Sequence, residues 1–166
     1  MGPGYPIKVQ RDSRKTDSGR RRVSDRVTYD RSAVMRAVKS RDTSPELAVR
    51  ALLRPIAPGY RLHRGDLPGK PDVAYMSRKL AIFVHGCFWH GHDCARGARA
   101  PKTNADYWRA KIARNRARDL KTLAAYAAMG WRALVVHECE LKDKAALSAR
   151  LSKTLRPERA ASEKRV

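Results

Sequence analysis

Residues 81–94, AIFVHGCFWHGHDC, constrain the fold more than any other stretch of this chain. They contain both phenylalanines, three of the five histidines and two of the three cysteines in a sequence of 166 residues. The run LAIFV has the composition of a buried β-strand, so these polar and sulfur-bearing residues follow directly after a strand. Such a segment either packs around a bound metal or forms a working site.

Helix and strand patterns along the rest of the chain predict an α/β fold. Ser44 should cap a helix with Pro45 at its first position, and PDVAYM should pair with LAIFV as an antiparallel hairpin. Asn104 should begin a long helix to about Met129, followed by the strand WRALVV and the helix LKDKAALSARLSKTL. The apolar stripe expected on the long helix consists of Trp108, Ile112, Leu120, Leu123, Ala124 and Ala127. This order of elements indicates helices packed on a small mixed sheet.

The strand-helix-strand unit predicts where the cysteines meet. Its two strands should run parallel with a right-handed crossover, so that their carboxyl ends share one sheet edge. Cys87 and Cys139 each follow one of these strands by three residues and should therefore be neighbours. With Cys94 and one imidazole they can form a tetrahedral zinc site, for which spacing leaves His85, His90 and His92 open. The alternative is three buried free cysteines.

The hairpin predicts a second metal site. A turn centred on Ser77 and Arg78 would place Asp72 opposite Val84, where a carboxylate and a backbone carbonyl face one Mg²⁺ ion. His85 and His90 would stand beside it. A hard cation next to imidazoles suits phosphodiester hydrolysis, because the metal neutralises the phosphate and histidine transfers a proton. The alternative for Asp72 is an ordinary turn residue after a proline.

Charge favours nucleic acid as the partner. The chain has 37 Lys and Arg against 16 Asp and Glu, a net charge of +21. No apolar run is long enough to span a membrane, and no signal-peptide core is present, which favours a cytoplasmic protein. Residues 1–31, with nine Lys or Arg and four Asp, read as a disordered basic arm, 32–156 as one domain and 157–166 as a polar tail.

Five stretches carry a resemblance to a known family. MRAVKSRDTSPE, LPGKPDVAY, IFVHGCFWHGHDC, YWRAKIARNRARD and GWRALVVHEC resemble, in order and spacing, the very short patch repair (Vsr) endonucleases. The resemblance implies a variant of the PD-(D/E)xK restriction-endonuclease fold. It implies an enzyme that nicks double-stranded DNA 5′ to the thymine of a T:G mismatch left by deamination of 5-methylcytosine. It also implies a monomer, bacterial and nucleoid-associated, linked to a cytosine-5 DNA methyltransferase and repair machinery.

The resemblance also assigns roles to residues. It makes Asp72 and the Val84 carbonyl ligands of catalytic Mg²⁺, and His90 the catalytic imidazole, supported by His85 and Glu46. It selects Cys87, His92, Cys94 and Cys139 as ligands of structural Zn²⁺. It implies that Met35, Phe88, Trp89 and Trp108 intercalate into DNA beside the mismatch, whereas packing around zinc or in a helix core is the plainer interpretation of the last three.

Departures from the family pattern leave two rival functions open. Phe83, Val84 and His85 stand where related nucleases carry Glu-x-Lys, so imidazoles should replace a lysine-assisted mechanism. Val84 replaces a threonine, and Gly91 and Asp93 replace histidines of better-known members. The rivals are a restriction-type nuclease of the same fold and a zinc-stabilised DNA-binding module without catalysis.

Overall fold

Four strands form one mixed sheet with helices on both faces. The computed structural model describes residues 41–99 and 103–156; Met35, the basic arm at 1–31 and the tail at 157–166 lie outside this range. The elements are α1 (Ser44–Ile56), β1 (Arg61–Leu62), β2 (Val73–Tyr75), β3 (Leu80–His85), α2 (Ala105–Ala128), β4 (Arg132–His137), a 3₁₀ helix (Glu138–Lys142) and α3 (Lys144–Leu155). The predicted small mixed sheet flanked by helices is confirmed.

The strands lie in the order β1-β2-β3-β4. The first three are antiparallel, and β4 runs parallel to β3 with Val84 beside Val136 and His85 beside His137. The parallel crossover through α2 is therefore as predicted. It brings the carboxyl ends of β3 and β4 to one edge, from which the segments containing Cys87 and Cys139 leave the sheet.

The predicted hairpin register is wrong by one residue. The turn is centred between Ser77 and Arg78 as predicted, and β2 accordingly pairs Val73 with Ile82 and Tyr75 with Leu80. Continuing this register places Asp72 opposite Phe83 rather than Val84. The reason is that a turn from Met76 to Lys79, centred between Ser77 and Arg78, pairs residues whose numbers sum to 155, whereas Asp72 opposite Val84 requires 156.

The cap of α1 and the start of α3 differ from prediction. Thr43, not Ser44, is the N-cap of α1, and its hydroxyl accepts a hydrogen bond from the Glu46 amide. Pro45 therefore takes the second helical position, where its missing N–H is still harmless. The helix runs through Pro55 to Ile56. The last helix, predicted from Leu141, begins at Lys144, and Asp143 is its N-cap, accepting from the Ala146 amide.

The inward face of α2 matches the predicted apolar stripe only in part: Trp108, Ile112 and Leu123 are half-buried. Leu120 is 69% exposed and Ala124 and Ala127 are exposed as well, whereas Tyr126 is fully buried. The sheet-facing residues include polar ones and recur at spacings of three and four: Trp108, Ile112, Asn115, Asp119, Thr122 and Tyr126. A polar inward stripe suits a helix that lines a site rather than an apolar core.

Alternation along β3 separates the core into two clusters. Leu80 and Ile82 pack on one side with residues of α1 and α3, including Leu53 and Leu151. Ala81 and Phe83 pack on the other side with Tyr126 of α2. Both faces of β3 are thus buried, which fixes the strand whose carboxyl end carries the site. None of the helices in the described ranges is both long and apolar enough to cross a membrane.

Candidate active site and metal centre

Three cysteines and one histidine converge beyond the ends of β3 and β4. One ligand atom from each of Cys87, His92, Cys94 and Cys139 lies within 4.8 Å of all the others. The Cys139 amide donates to the Cys87 sulfur at 3.3 Å, and the Cys139 sulfur lies 3.5 Å from His92 Nδ1. Three sulfurs and one imidazole nitrogen are the donor set of a four-coordinate structural zinc site.

Electrostatics of the thiols suit a cation at this place. Burial raises the pKa of Cys87 to about 12, whereas hydrogen bonding to His92 and then to the Gly97 amide lowers the pKa of Cys94 to about 6. A buried thiolate is costly without a positive charge beside it. A bound divalent cation would supply that charge, so the four side chains fit a metal better than three free thiols.

A histidine and a carboxylate form a second cluster beside this metal centre. His90 Nδ1 lies 2.6 Å from Asp119 Oδ2. Because a carboxylate only accepts, the proton of this hydrogen bond belongs to His90 Nδ1, and Nε2 remains available to another group. The contact fixes the orientation of the imidazole ring. A carboxylate behind an imidazole is the usual support of a histidine that transfers protons.

His85 stacks on His90 with ring centroids 3.6 Å apart and an interplanar angle of 11°. Burial, followed by the charge of His90, lowers the pKa of His85 to about 4. His85 is therefore neutral near pH 7 and supports the neighbouring ring without adding charge. Its position at the last residue of β3 explains why it is held so firmly.

Two stacked pairs of imidazoles, which meet edge-on, join the two clusters. His137, at the end of β4, stacks on His92 at 3.8 Å and meets His85 edge-on at 6.0 Å. The four rings follow one another in the order His90, His85, His137 and His92. The first ring is bound to Asp119, and the last belongs to the cysteine cluster. Sequence reasoning missed His137 because the predicted strand ended at Val136, one residue before it.

Asp72 lies at the start of β2, beside the backbone of β3. Its Oδ2 accepts a hydrogen bond from the Val84 amide at 2.7 Å. The N–H and C=O of one strand residue point to the same side, so the Val84 carbonyl faces the same edge as this carboxylate. Burial raises the pKa of Asp72, and the charge of Glu46 raises it further against the hydrogen bond from Val84.

Glu46 is held rigidly next to Asp72 at the start of α1. It is buried, and its two oxygens accept from the Asp42 amide at 2.9 Å and the Thr43 hydroxyl at 2.7 Å. Asp42 and His63 lie near enough to Glu46 for the three to share one metal ion. Arg50 forms an ion pair with Asp42. Two neighbouring carboxylates repel each other, and a hard cation between them would relieve that repulsion.

An aromatic cluster with a cation on it lies on the other side of the cysteine segment. Phe88, Trp89 and Trp108 have ring centroids 5.1 to 5.8 Å apart, and none is fully buried. Tyr107 joins them and is 53% exposed. Lys111 Nζ lies 5.3 Å from the Trp108 centroid and 5.5 Å from that of Trp89. Half-exposed rings under a cation suit contact with stacked bases and phosphate.

Asp119 and Asn115 are further site residues that sequence reasoning missed. Both lie on the inward stripe of α2, where Asn115 donates to the Trp89 carbonyl at 2.8 Å. Their spacing, four residues apart on one helical face, is the only signal in the sequence that could have found them. Met35 lies outside the described residues; the other predicted site residues fall into the clusters described above.

A supported imidazole, a half-buried aspartate beside a carbonyl and an aromatic surface bearing a cation are together features of an enzyme that acts on nucleic acid. Comparisons with known proteins agree. A sequence model of the family described as DNA mismatch endonuclease Vsr matches residues 24–96.

Three relatives extend this match over most of the chain. The type II nicking enzyme V.XorIIP of Xanthomonas oryzae is 53% identical over 136 residues, covering 81% of this chain and 99% of the relative. The type II nicking enzyme V.NmeAIP of Neisseria meningitidis is 41% identical, covering 78% and 91%. The DNA mismatch endonuclease Vsr of Escherichia coli is 37% identical, covering 76% and 79%. The chain belongs to the Vsr family of DNA mismatch endonucleases, as the sequence resemblance predicts.

Proposed function

We propose that this protein nicks double-stranded DNA 5′ to the thymine of a T:G mismatch produced by deamination of 5-methylcytosine, and so begins very short patch repair. The observation that carries the proposal is the His90–Asp119 contact of 2.6 Å next to the end of β3, where Asp72 and Val84 also meet. It supplies a proton-transfer group beside an oxygen-rich cation site.

Asp72 and the Val84 carbonyl would hold Mg²⁺, with Glu46 next to them. The fit rests on the donor set, which is all oxygen, and on the repulsion between the buried carboxylate of Glu46 and the half-buried one of Asp72. When bound, Mg²⁺ neutralises charge on the phosphate and lowers the pKa of a bound water. Asp72 would keep one oxygen on the Val84 amide and use the other for the cation.

Proton transfer is assigned to His90. With Nδ1 held by Asp119, its Nε2 either takes the proton of the attacking water or gives one to the leaving oxygen. His85 keeps the ring in place by stacking at 3.6 Å. No lysine is needed in this arrangement, because an imidazole does the proton transfer.

Cys87, His92, Cys94 and Cys139 would bind structural Zn²⁺, which shapes the segment between Cys87 and Cys94. That segment carries His90 on one side and the ring pair Phe88–Trp89 on the other. Phe88, Trp89 and Trp108 are proposed to enter the base stack at the mismatch, assisted by Met35. Unstacking costs a few kcal/mol and costs less at a weak pair, which favours mismatched DNA.

The cellular setting forms part of the same proposal. A cytosine-5 DNA methyltransferase produces the methylated base whose deamination gives the mismatch, so the two enzymes should share a recognition sequence. The protein is proposed to act as a monomer on nucleoid DNA in the bacterial cytoplasm and to pass the nicked strand to repair enzymes.

A strand-resolved cleavage assay tests the proposal. End-labelled duplexes with one T:G mismatch in several contexts are compared with matched T:A and C:G duplexes, with and without Mg²⁺. The expected result is one Mg²⁺-dependent nick, on the thymine strand only. Equal cutting of matched duplex would instead assign a restriction-type activity, and tight binding without cutting in any context would assign a binding module.

Two substitutions test the assigned residues. Asp72→Ala should abolish nicking while DNA binding persists. Asp119→Asn should slow nicking by about 10² to 10⁴, the usual share of acid-base catalysis, because the ring loses its anionic support. Asp66→Asn removes an exposed aspartate paired with Arg64 and should leave the rate unchanged. Nicking by Asp119→Asn at the rate of Asp66→Asn would remove Asp119 from the mechanism.

A further inference from the structure

Two cavities flank the cysteine segment, and they differ in charge. The histidine cavity, of about 720 Å³, is lined by four histidines, by Asp93 and Asp119, and by Arg116 as its basic residue. The arginine cavity, of about 550 Å³, is lined by Arg96, Arg99 and Lys142 against the single carboxylate of Glu138. Only the second cavity therefore carries an excess of positive charge.

Of the three basic side chains that line the arginine cavity, one forms an ion pair with a carboxylate of the same cavity. Arg96 Nη1 lies 3.1 Å from Glu138 Oε1, so this pair neutralises itself and forms part of the wall. Arg99 and Lys142 have no carboxylate within ion-pair distance among residues 41–99 and 103–156. Two guanidinium or ammonium groups facing one concave space are suited to a phosphate group.

The arginine cavity borders both parts of the proposed site. Cys94 and Cys139 of the metal centre form one wall, and Ser44 and Pro45 form another. The next residue is Glu46, whose charge acts on Asp72. At the amino terminus of α1, the Glu46 amide already donates to the Thr43 hydroxyl, so it is not used to bind an anion.

We propose that the arginine cavity binds one backbone phosphate of the DNA beside the nicked bond, through Arg99 and Lys142. The inference rests on the proposed function for its substrate, DNA, and for the place of the nicked bond at Asp72. Phosphates follow one another every ~3.4 Å along the axis of one strand, so a duplex placed at Asp72 brings neighbouring phosphates to a cavity one residue from Glu46. The contact positions the duplex and reads no base.

Salt dependence of binding provides the first test. DNA affinity is measured without Mg²⁺ by fluorescence anisotropy from 0.05 to about 0.3 M salt, for T:G and matched duplexes. The double variant Arg99→Ala/Lys142→Ala should lower the slope of log K against log salt by about 0.9, which corresponds to roughly 8-fold weaker binding at 0.1 M salt. The loss of affinity should be equal on the T:G and the matched duplex.

A control of equal charge excludes a general field effect. Arg54→Ala/Lys153→Ala removes two exposed cations from the last turns of α1 and α3, away from the arginine cavity. This control should keep the wild-type slope. A thermal melt followed by circular dichroism shows that each variant is folded, and Arg99→Gln/Lys142→Gln repeats the test with longer side chains.

Neutral phosphates locate the contact. A methylphosphonate is placed at one position at a time on either side of the nicked bond. At one position the wild type should lose about 8-fold in affinity while the double variant loses nothing further, since both changes remove the same contact. The inference is overturned if the double variant keeps the wild-type slope and the wild-type methylphosphonate profile.

Failure of this inference is distinct from failure of the nickase proposal. A wild type that nicks T:G duplexes, with double-variant slopes unchanged, refutes the phosphate contact alone. A wild type that never nicks, with slopes that change as expected, refutes the nickase alone and retains the contact.

Discussion

Two buried tyrosines provide a matched test of the hydrogen bonds in the core. Tyr75, 3% exposed, donates its hydroxyl to the Ala57 carbonyl at 2.7 Å, which ties β2 to the end of α1. The Tyr126 hydroxyl is equally buried but has no hydrogen-bond partner among the described residues. Tyr75→Phe leaves a buried carbonyl without its donor and should lower the free energy of unfolding by about 1 to 3 kcal/mol. Tyr126→Phe removes an unpaired hydroxyl and should change it by less than about 0.5 kcal/mol.

Urea denaturation followed by circular dichroism and tryptophan fluorescence measures both values, with the same excess of Zn²⁺ in every sample because bound metal adds stability. An unchanged slope against urea shows that only stability has changed. Equal losses for the two variants would refute the reasoning, since both keep the ring and only Tyr75→Phe removes a hydrogen bond.

The same pair predicts an effect of alkaline pH. Burial raises the pKa of both Tyr75 and Tyr126 to about 12, above the value near 10 of an unfolded tyrosine. The unfolded chain therefore releases these protons first, and the stability from each protonated tyrosine, complete below pH 10, is lost as the pH rises toward 12. Tyr126→Phe should thus become more stable than the wild type above about pH 10, as repeated urea titrations would show.

Three further predictions concern the site. Cys139→Ser should release zinc, measured by atomic absorption, and lower the melting temperature, because structural zinc contributes directly to folding; retained zinc with a normal melt would contradict the Cys₃His site. His137→Ala should slow nicking at unchanged zinc content, and His137→Phe should restore the rate by restoring the ring contact of 3.8 Å with His92; a wild-type rate for His137→Ala would remove this link. Gly91→Ala should cost about 1 to 3 kcal/mol in urea denaturation, because φ is +57° and the new Cβ would lie 2.7 Å from Ile112. Gly130→Ala, at φ +65° with open space around it, isolates the conformational part.

The crossover was predictable because it depends on long, regular features. A buried strand, a 24-residue helix and a second strand in succession allow one handedness, and this alone placed Cys87 near Cys139. The β2–β3 register was equally predictable, since a turn centred between Ser77 and Arg78 requires Val73 opposite Ile82; the predicted pairing of Asp72 with Val84 was one residue off that centre.

The apolar stripe predicted on α2 was only partly correct, for a different reason. Hydrophobic periodicity assumes that the inward face of a helix is apolar, but Asn115 and Asp119 face inward to hold the Trp89 carbonyl and the His90 ring. Leu120 takes the exposed position instead. Hydrophobic periodicity predicts the inward face of a helix least well where that face lines a site instead of the core. The polar residues on the inward face of α2 fit the candidate site there. His63 and Asp42 meet Glu46 through loop conformation, for which the sequence carries no periodic signal.

The crossover that joins β3 to β4 also sets the timing of the metal centre during synthesis. A growing chain has Cys87, His92 and Cys94 early, but Cys139 emerges only after the whole of α2 and β4 has been made. Three ligands can be exchanged or oxidised until the fourth arrives, and the closing segment must first cross the sheet. If the cluster holds the proposed zinc, a filled centre would mark a chain that has been translated through β4 and folded, and truncated products should fail to retain metal.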